Sequence, residues 1–455
     1  MTSTERFARH ALETSYADLP GEAVDAAKIF ILDTIGVGVA GAAAPHADAV
    51  FETVKRWGGC DGAAPAHVLG RGAALPAPSA AFVNGFQIHC QEYDCVHEPA
   101  VVHPMATLFA ALSAETQRAG PVDGRSLIAA VCTGVDVAAG LGVAARSAIR
   151  FFRPANAGIF GATLGVARLR GFDLPAALDA AGYALAFCSG TMQAHVEGKP
   201  ALPIQIGNAA RGALMACDLA AGGLPGPHDV IDGPYGYLSL FEEESAVAPV
   251  LDSLGKVWRM TEVSHKPFPT GRAAQGGISA IQRLRESGVS ADNLERLTLT
   301  APPLIRRLVG RPYKDEMDVN YARLCFPYLG AVALRDGAVG LDDFDAARRR
   351  DGAIARLARR MEVVEAGPAD PAAFTPQTAC AVLKDGRSIE ARIGDLYGSP
   401  QAPMDRAAAR EKFRRCMDYG FGRNVSIWAD ELIARIEHLE EEKDAGRLIR
   451  LAAGV

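Results

Sequence analysis

Five side chains suited to acid–base or metal chemistry crowd into the segment Asn84–Met105, NGFQIHCQEYDCVHEPAVVHPM: His89, Glu92, Asp94, His97 and His103, all within fifteen residues. Three of the ten histidines of the chain lie there. His103 stands directly before Pro104. Proline fits the first turn of a helix, where its missing N–H costs nothing, so His103 is predicted at a helix N-terminus. The positive end of the helix dipole disfavours imidazolium, which makes His103 a neutral base, with Asp94 or Glu92 available to orient its ring. Three His and two carboxylates also suit a metal, or a polar loop whose histidines are satisfied by hydrogen bonds. No H-E-x-x-H or H-x-H pair is present. The acid–base reading is therefore preferred and no metal ligands are assigned.

A second constellation is Ser264–Gly277, SHKPFPTGRAAQGG. Lys266 sits between His265 and two prolines, and Thr270-Gly271-Arg272 reads as a turn into a helix, offering backbone N–H groups and a guanidinium to a carboxylate. The same residues also fit a Pro-rich linker with solvated cations. In Asn320–Tyr328, NYARLCFPY, Tyr328 opens an apolar helix and suits either the core or a catalytic role.

The elements that must hold these residues are mostly helical. Apolar residues recur at helical spacing over Ala23–Ala42, Pro104–Glu115, Leu127–Ala145, Phe160–Leu169, Leu174–Phe187 and Asn208–Ala221, and strand patterns are nearly absent before residue 262. Glycines inside these helices (Gly36, Gly38, Gly134, Gly161, Gly165) cost ~1 kcal/mol each relative to Ala unless close packing recovers it, so a tightly packed helical core is expected. After residue 262 the texture changes. Leu297–Thr300, Met361–Glu365 and two runs within Ala379–Ile393 read as strands, the last two joined by Asp385-Gly386 as a type I′ hairpin, with helices at Gly271–Ser287 and Pro327–Arg335. Helices return at Met404–Met417 and Ser426–Leu451, the latter with charge pairs Glu440 to Lys443 and Asp444 to Arg447 on a solvated face. Leu75–Pro78 and Ser399–Pro403 read as short connectors.

With 455 residues, 49% hydrophobic content and a net charge of −6, the chain reads as a globular protein of two or three domains and not as a nucleic-acid binder. Nine cysteines from Cys60 to Cys416, with no C-x-x-C pair, argue against a disulfide framework or a structural zinc and for a reducing, cytoplasmic setting. The charged start MTSTERFARH carries no secretory signal. Ile29–Ala44, broken by Asp33 and glycines, is a buried helix rather than a membrane span of ~20 apolar residues.

In order along the chain, LDTIGVGVAGA, the NGF-x-x-H loop ending in His103-Pro104, GIFGATLGVARLRGFD, GNAARGALMACDLAAGGLPGP, IDGPYGY, HKPFPTGR and FPYLGAVAL together resemble the MmgE/PrpD family over essentially the whole length. Its members include dehydratases, a decarboxylase and an epimerase of small carboxylates. The resemblance implies a large helical domain (residues 1–262 and 398–455) with a smaller α+β lid domain (263–397) inserted. It also implies a homodimer, a site in the cleft between domains and no metal or organic cofactor. His103 and Lys266 become base and acid partner, with Asp94, Glu92 and Tyr328 in the catalytic set. Arg153, Arg272, His89, His97 and Lys199 are expected on a small anionic carboxylate substrate. Several positions depart from the family: the acid of H-x-x-D is Glu92, an acid and a threonine become Cys95 and a non-hydroxylic position, a histidine becomes Arg153, a lysine Leu202, and further histidines Gln205 and Gln275. His195 or Lys199 is the expected substitute for the missing charge, and the loss of polar ligands points to fewer carboxylates or an apolar substituent. The implied reaction is proton abstraction next to a carboxylate by a dehydratase or decarboxylase. Epimerisation by two bases is the alternative, followed by a metal-dependent hydrolase or a binding protein without catalysis.

Overall fold

A computed structural model describes residues 1–58, 65–367, 370 and 372–455. Cys60, one of the nine cysteines, lies outside the described residues; the other eight are free thiols.

The molecule is mainly helical. Helix Gly21–Ala42 follows Pro20 and packs against Ala77–His89, Gly124–Ala144 and Arg406–Phe421, the first of the helices after the sheet region. Small residues set these distances. A Cβ on Gly41 would lie 1.9 Å from the Gln87 carbonyl oxygen, and one on Gly161 would lie 2.3 Å from that of Gly134, where helices Gly158–Leu169 and Gly124–Ala144 cross. The expected close-packed core is thus built on backbone contact that any side chain would block. Gly124–Ala144 alone among the described helices is long and apolar enough to cross a membrane, yet nearly all of it is buried among its neighbours.

Helix Arg406–Phe421 joins the first helices through a buried ion pair, Lys412 to Asp33 at 2.7 Å. The same ammonium donates to the Tyr93 carbonyl at 3.0 Å, so a residue near the C-terminus supports the histidine-rich loop from behind.

The strand-patterned region forms a mixed four-stranded sheet, in the order Met361–Glu365, Leu294–Ala301, Gln377–Leu383, Ser388–Ile393; the first pair is parallel and the others antiparallel. Helix Arg272–Glu286 packs on its last two strands and against Phe326–Asp336. The hairpin at Asp385-Gly386 exists, but its turn is not type I′. Only Gly386 is left-handed (φ 88°), its N–H donating to the Leu383 carbonyl at 2.9 Å, whereas type I′ needs positive φ at both central residues.

Other differences are local. Pro65–Val68 and Ala73–Pro76 pair as a small hairpin, and Ala77–His89 continues from it as a helix, where only a connector was expected. Ser426–Leu451 is not one helix. It breaks after Glu437 and resumes at Gly446, freeing the Glu437 carbonyl and the Glu440 carboxylate to accept from Lys28 at 3.1 and 3.0 Å. Asp444 accordingly pairs with Arg450, at 2.7 Å, instead of Arg447.

Candidate active site

Two short strands bring the chemistry-bearing segments together: Val96–His97 pairs with Val263–Ser264, just after the first cluster and just before Lys266. Arg323, fully buried in the NYARLCFPY segment, donates to the carbonyls of Gln91 and Pro269 at 2.8 and 3.0 Å and ties both loops to a third.

At the centre is Asp94, fully buried. Its Oδ2 lies 2.9 Å from Nδ1 of both His89 and His103, and Lys266 Nζ stands 3.6 Å from its Oδ1. The ammonium also donates to the carbonyl and the Oε2 of Glu92, each at 3.1 Å. The two imidazoles meet edge to face at 4.8 Å. Glu92 (φ 52°) and Val101 (φ 50°) are both left-handed, a costly conformation for non-glycine residues and most of all for a β-branched one. Both line the same cavity, where strain of this kind accumulates at functional sites.

The electrostatics assign the protons. Burial alone would raise the Asp94 carboxyl, but His103, His89 and Lys266 hold it well below the usual carboxylate range. Burial likewise opposes ionisation of Glu92, and Lys266, His89 and His103 outweigh it, holding the group down at about 2. An ionised carboxylate only accepts, so both Nδ1 atoms must carry protons. Burial, aided by Lys266 and opposed by Asp94, lowers the His103 pKa, which leaves that ring neutral with a bare Nε2. His89 is different: burial would lower its pKa, but Asp94 and Glu92 raise it above the ordinary value, and its Nε2 is directed toward Glu92 Oε1 at 3.7 Å. His103, at the start of helix Pro104–Arg118, is the more exposed ring and lines the cavity.

The cavity encloses about 560 Å³ counting its mouth. Its walls are mainly apolar, among them Val101, Phe152, Leu202, Leu324 and Phe374; the ionisable residues on them are Glu92, His103, His195 and Arg272.

Of the expected site residues, His89, Glu92, Asp94, His103 and Lys266 converge. Five others do not join them. His97 turns away to Glu262, 2.8 Å from its Nε2, and accepts from the Ala100 N–H. Arg153 is buried against Glu242 at 2.7 Å and does not line the cavity, so it clamps a carboxylate of the protein itself. Arg272 reaches the cavity wall, but its guanidinium is committed to Glu98 at 2.8 Å and to the carbonyls of His265 and Tyr397. Tyr328 is fully buried, its hydroxyl donating to the Asp343 carbonyl. Lys199 is exposed in a separate surface cleft with Asp315 and Glu316. Of the two proposed substitutes for the missing charge, the cavity receives His195. Glu98, Glu242 and Arg311 carry no local sequence signal because their partners lie 174, 89 and 116 residues away; the sequence signal of Arg323 is a charge inside an apolar segment.

The helical body, the small mixed sheet and this loop-borne cluster agree with the family matches. Residues 5–249 match the MmgE/PrpD N-terminal domain and residues 268–432 the MmgE/PrpD C-terminal domain, and the chain belongs to this family. It is accordingly an enzyme, of the lyase type. Similar proteins include the cis-aconitate decarboxylase of Mus musculus, 27% identical over 99% of this chain and 93% of its own length. That of Homo sapiens is 26% identical over 99% and 94%. The cis-aconitate decarboxylase-like protein oryM of Aspergillus oryzae is 26% identical over 97% and 95%.

Proposed function

We propose that the enzyme eliminates water or carbon dioxide from a small carboxylate, with His103 Nε2 moving the proton at the carbon beside a carboxylate group. The observation that carries this reading is the pair of 2.9 Å contacts on Asp94, which leave one bare imidazole nitrogen on the wall of a mainly apolar cavity. In a dehydration the C–H proton goes to His103 Nε2 and the C–H pair is delocalised into the adjacent carboxylate, until hydroxide departs with the C–O pair and takes up the His103 proton as water. In a decarboxylation carbon dioxide leaves without the C–C pair, which stays on the carbon, is delocalised into a conjugated carboxylate and is quenched by a proton that solvent supplies through His103 Nε2. The relatives' names favour decarboxylation. Few free cations and apolar walls favour a substrate with fewer carboxylates than a tricarboxylate, or with an alkyl or alkenyl substituent.

The reading includes a lid formed by residues 263–397 over the helical residues 1–262 and 398–455. Glu92, His103 and Phe152 line the cavity from the helical part, and Arg272, Leu324 and Phe374 from the other. A homodimer belongs to the same reading on the family resemblance, and a cytoplasmic setting on the scattered cysteines without a C-x-x-C pair. His103 and Lys266 approach the same Asp94 carboxylate, which does not favour two bases on opposite faces of a carbon. His89, Asp94 and His103 have ligand atoms within 4.8 Å of one another, but the Lys266 ammonium 3.6 Å from Asp94 would repel a divalent cation. The reading therefore invokes no metal.

The test is turnover of cis-aconitate and a panel of di- and tricarboxylates in deuterated water, followed by NMR and carbon dioxide release. Loss of water or carbon dioxide, reduced at least about 100-fold in His103→Ala, is expected. Deuterium entering an otherwise unchanged substrate, or activity removed by a chelator and restored by zinc, would overturn it.

A further inference from the structure

We propose that His195 is the hydrogen-bond donor to the substrate carboxylate that receives the electron pair, its Nε2–H presented to the cavity by Arg311. This rests on the lyase reading and adds a residue to it.

Most ionisable groups on the cavity wall are already committed. Of its ionisable residues, Glu92 is an anion held by Lys266, His103 offers a lone pair, and the Arg272 guanidinium is occupied by Glu98 and carbonyls. His195 is left. It lies in the short helix Gln193–Glu197, is buried, and takes no hydrogen bond at Nε2 among the described residues. Its other nitrogen is fixed: Arg311 donates to Nδ1 at 3.3 Å and to the His195 carbonyl at 2.9 Å, while its guanidinium stacks on Tyr321 at 4.8 Å. A guanidinium has no acceptor, so Nδ1 must be the lone-pair nitrogen and the ring proton must sit on Nε2. Burial, then the positive charge of Arg311, pushes the His195 pKa down to about 4, so the ring stays neutral at physiological pH.

A neutral N–H aimed at a carboxylate that gains charge during the reaction stabilises that charge more in the transition state than in the bound substrate. The step needs no proton transfer from His195. In a dehydration the proton lost from carbon goes to His103, and in either reaction the new charge on the receiving carboxylate oxygen is met by the fixed N–H. Arg311 is a positioning residue: it selects the tautomer and touches no substrate.

Two measurements test this. Nitrogen-15 NMR of histidine-labelled wild-type enzyme should show His195 as the neutral Nε2–H tautomer from pH 8 to about pH 5; an Nδ1–H tautomer, or imidazolium at pH 7, would overturn the assignment. In turnover of the panel acid that the enzyme consumes, His195→Phe should lose about 10²–10³-fold in kcat with a smaller change in KM. His195→Gln, whose amide N–H reaches the same place, should recover most of the loss, and Arg311→Met should lower kcat while exposing an Nδ1–H signal. Equal rates for wild type and His195→Phe, or no rescue by Gln in a folded variant, would refute the donor role. If these fail while His103→Ala remains inactive, the lyase reading stands without His195; if His103→Ala is fully active, that reading itself fails.

Discussion

Replacing Asp94 with asparagine changes one atom and should disable the site in two separable ways. The carboxylate is fully buried, accepts from two imidazoles through Oδ2 and lies 3.6 Å from the Lys266 ammonium through Oδ1. Asparagine has one acceptor oxygen. If that oxygen faces the rings, the amide NH2 faces the ammonium, donor against donor. If it faces the ammonium, the NH2 faces both Nδ1 atoms and forces their protons to Nε2, turning His103 from base into donor. The attraction lost between Lys266 and Asp94 is about 4 kcal/mol at an effective dielectric near 20, partly offset because the neutral amide is easier to bury. A net loss of about 3 kcal/mol of stability is expected in denaturant titration. Loss of the base should lower kcat by about 10²–10⁴-fold per folded molecule. The pH profile distinguishes this from simple unfolding. Wild-type His103 is active when neutral and its pKa is lowered, so kcat/KM should rise through a limb below pH 6.5 and then level off. Without Asp94, the charge that raises this pKa, the limb should move further toward acid while the plateau falls. An Asp94→Asn enzyme that is less stable but keeps the wild-type plateau would show that the loop histidines are only a satisfied polar cluster.

Buried His195 and His265 are both held down at about 4, burial being the main cause, so each favours the folded state fully above pH 6.5 and loses that contribution as pH falls toward 4, where the unfolded chain binds the proton first. The loss is roughly 3 kcal/mol for each group. His265 stacks on Phe30 at 4.4 Å and its Nε2 has no partner, so His265→Phe should keep the packing and remove its own share, roughly 3 kcal/mol, of the stability lost between pH 7 and 4. Gly161→Ala should cost about 1–3 kcal/mol in denaturant titration, because its Cβ would meet the Gly134 carbonyl at 2.3 Å; a neutral result would mean that the helix crossing is looser than its geometry. Leu202→Lys adds a cation to the apolar wall and should raise the thermal shift given by a tricarboxylate relative to a monocarboxylate; an unchanged ranking would place Leu202 away from the substrate.

Much of the site was legible because its residues are close in sequence and chemically unusual. His89, Glu92, Asp94 and His103 sit within fifteen residues, from the end of helix Ala77–His89 to the cap of Pro104–Arg118, and His103-Pro104 announces a helix start. Lys266 was legible from its stiff proline frame, although the strand pair that carries it to Asp94 is only two residues long on each side. What stayed hidden were long-range commitments. Arg153 and Arg272 looked like free cations because Glu242 and Glu98, which neutralise them, lie 89 and 174 residues away. Helix periodicity is plain where apolar residues repeat, but the break after Glu437 is held by Lys28, 409 residues distant, and no local pattern encodes it.

The two histidines facing the cavity show how one residue type can hold opposite roles without either carrying charge. Asp94 accepts from Nδ1 of His103 and so exposes a lone pair; Arg311 donates to Nδ1 of His195 and so exposes a proton. Were either ring an imidazolium, a carboxylate substrate would be bound tightly before reaction, and that uniform binding would lower KM without raising kcat. Keeping both neutral lets the substrate enter a largely apolar cavity with modest affinity and reserves the strongest hydrogen bond for the moment when charge accumulates on its carboxylate. The selection costs the enzyme two charges, Asp94 fully buried and Arg311 partly so, each placed behind its histidine and away from the substrate. Exchanging which partner stands behind which ring should therefore reverse the roles, not merely weaken them.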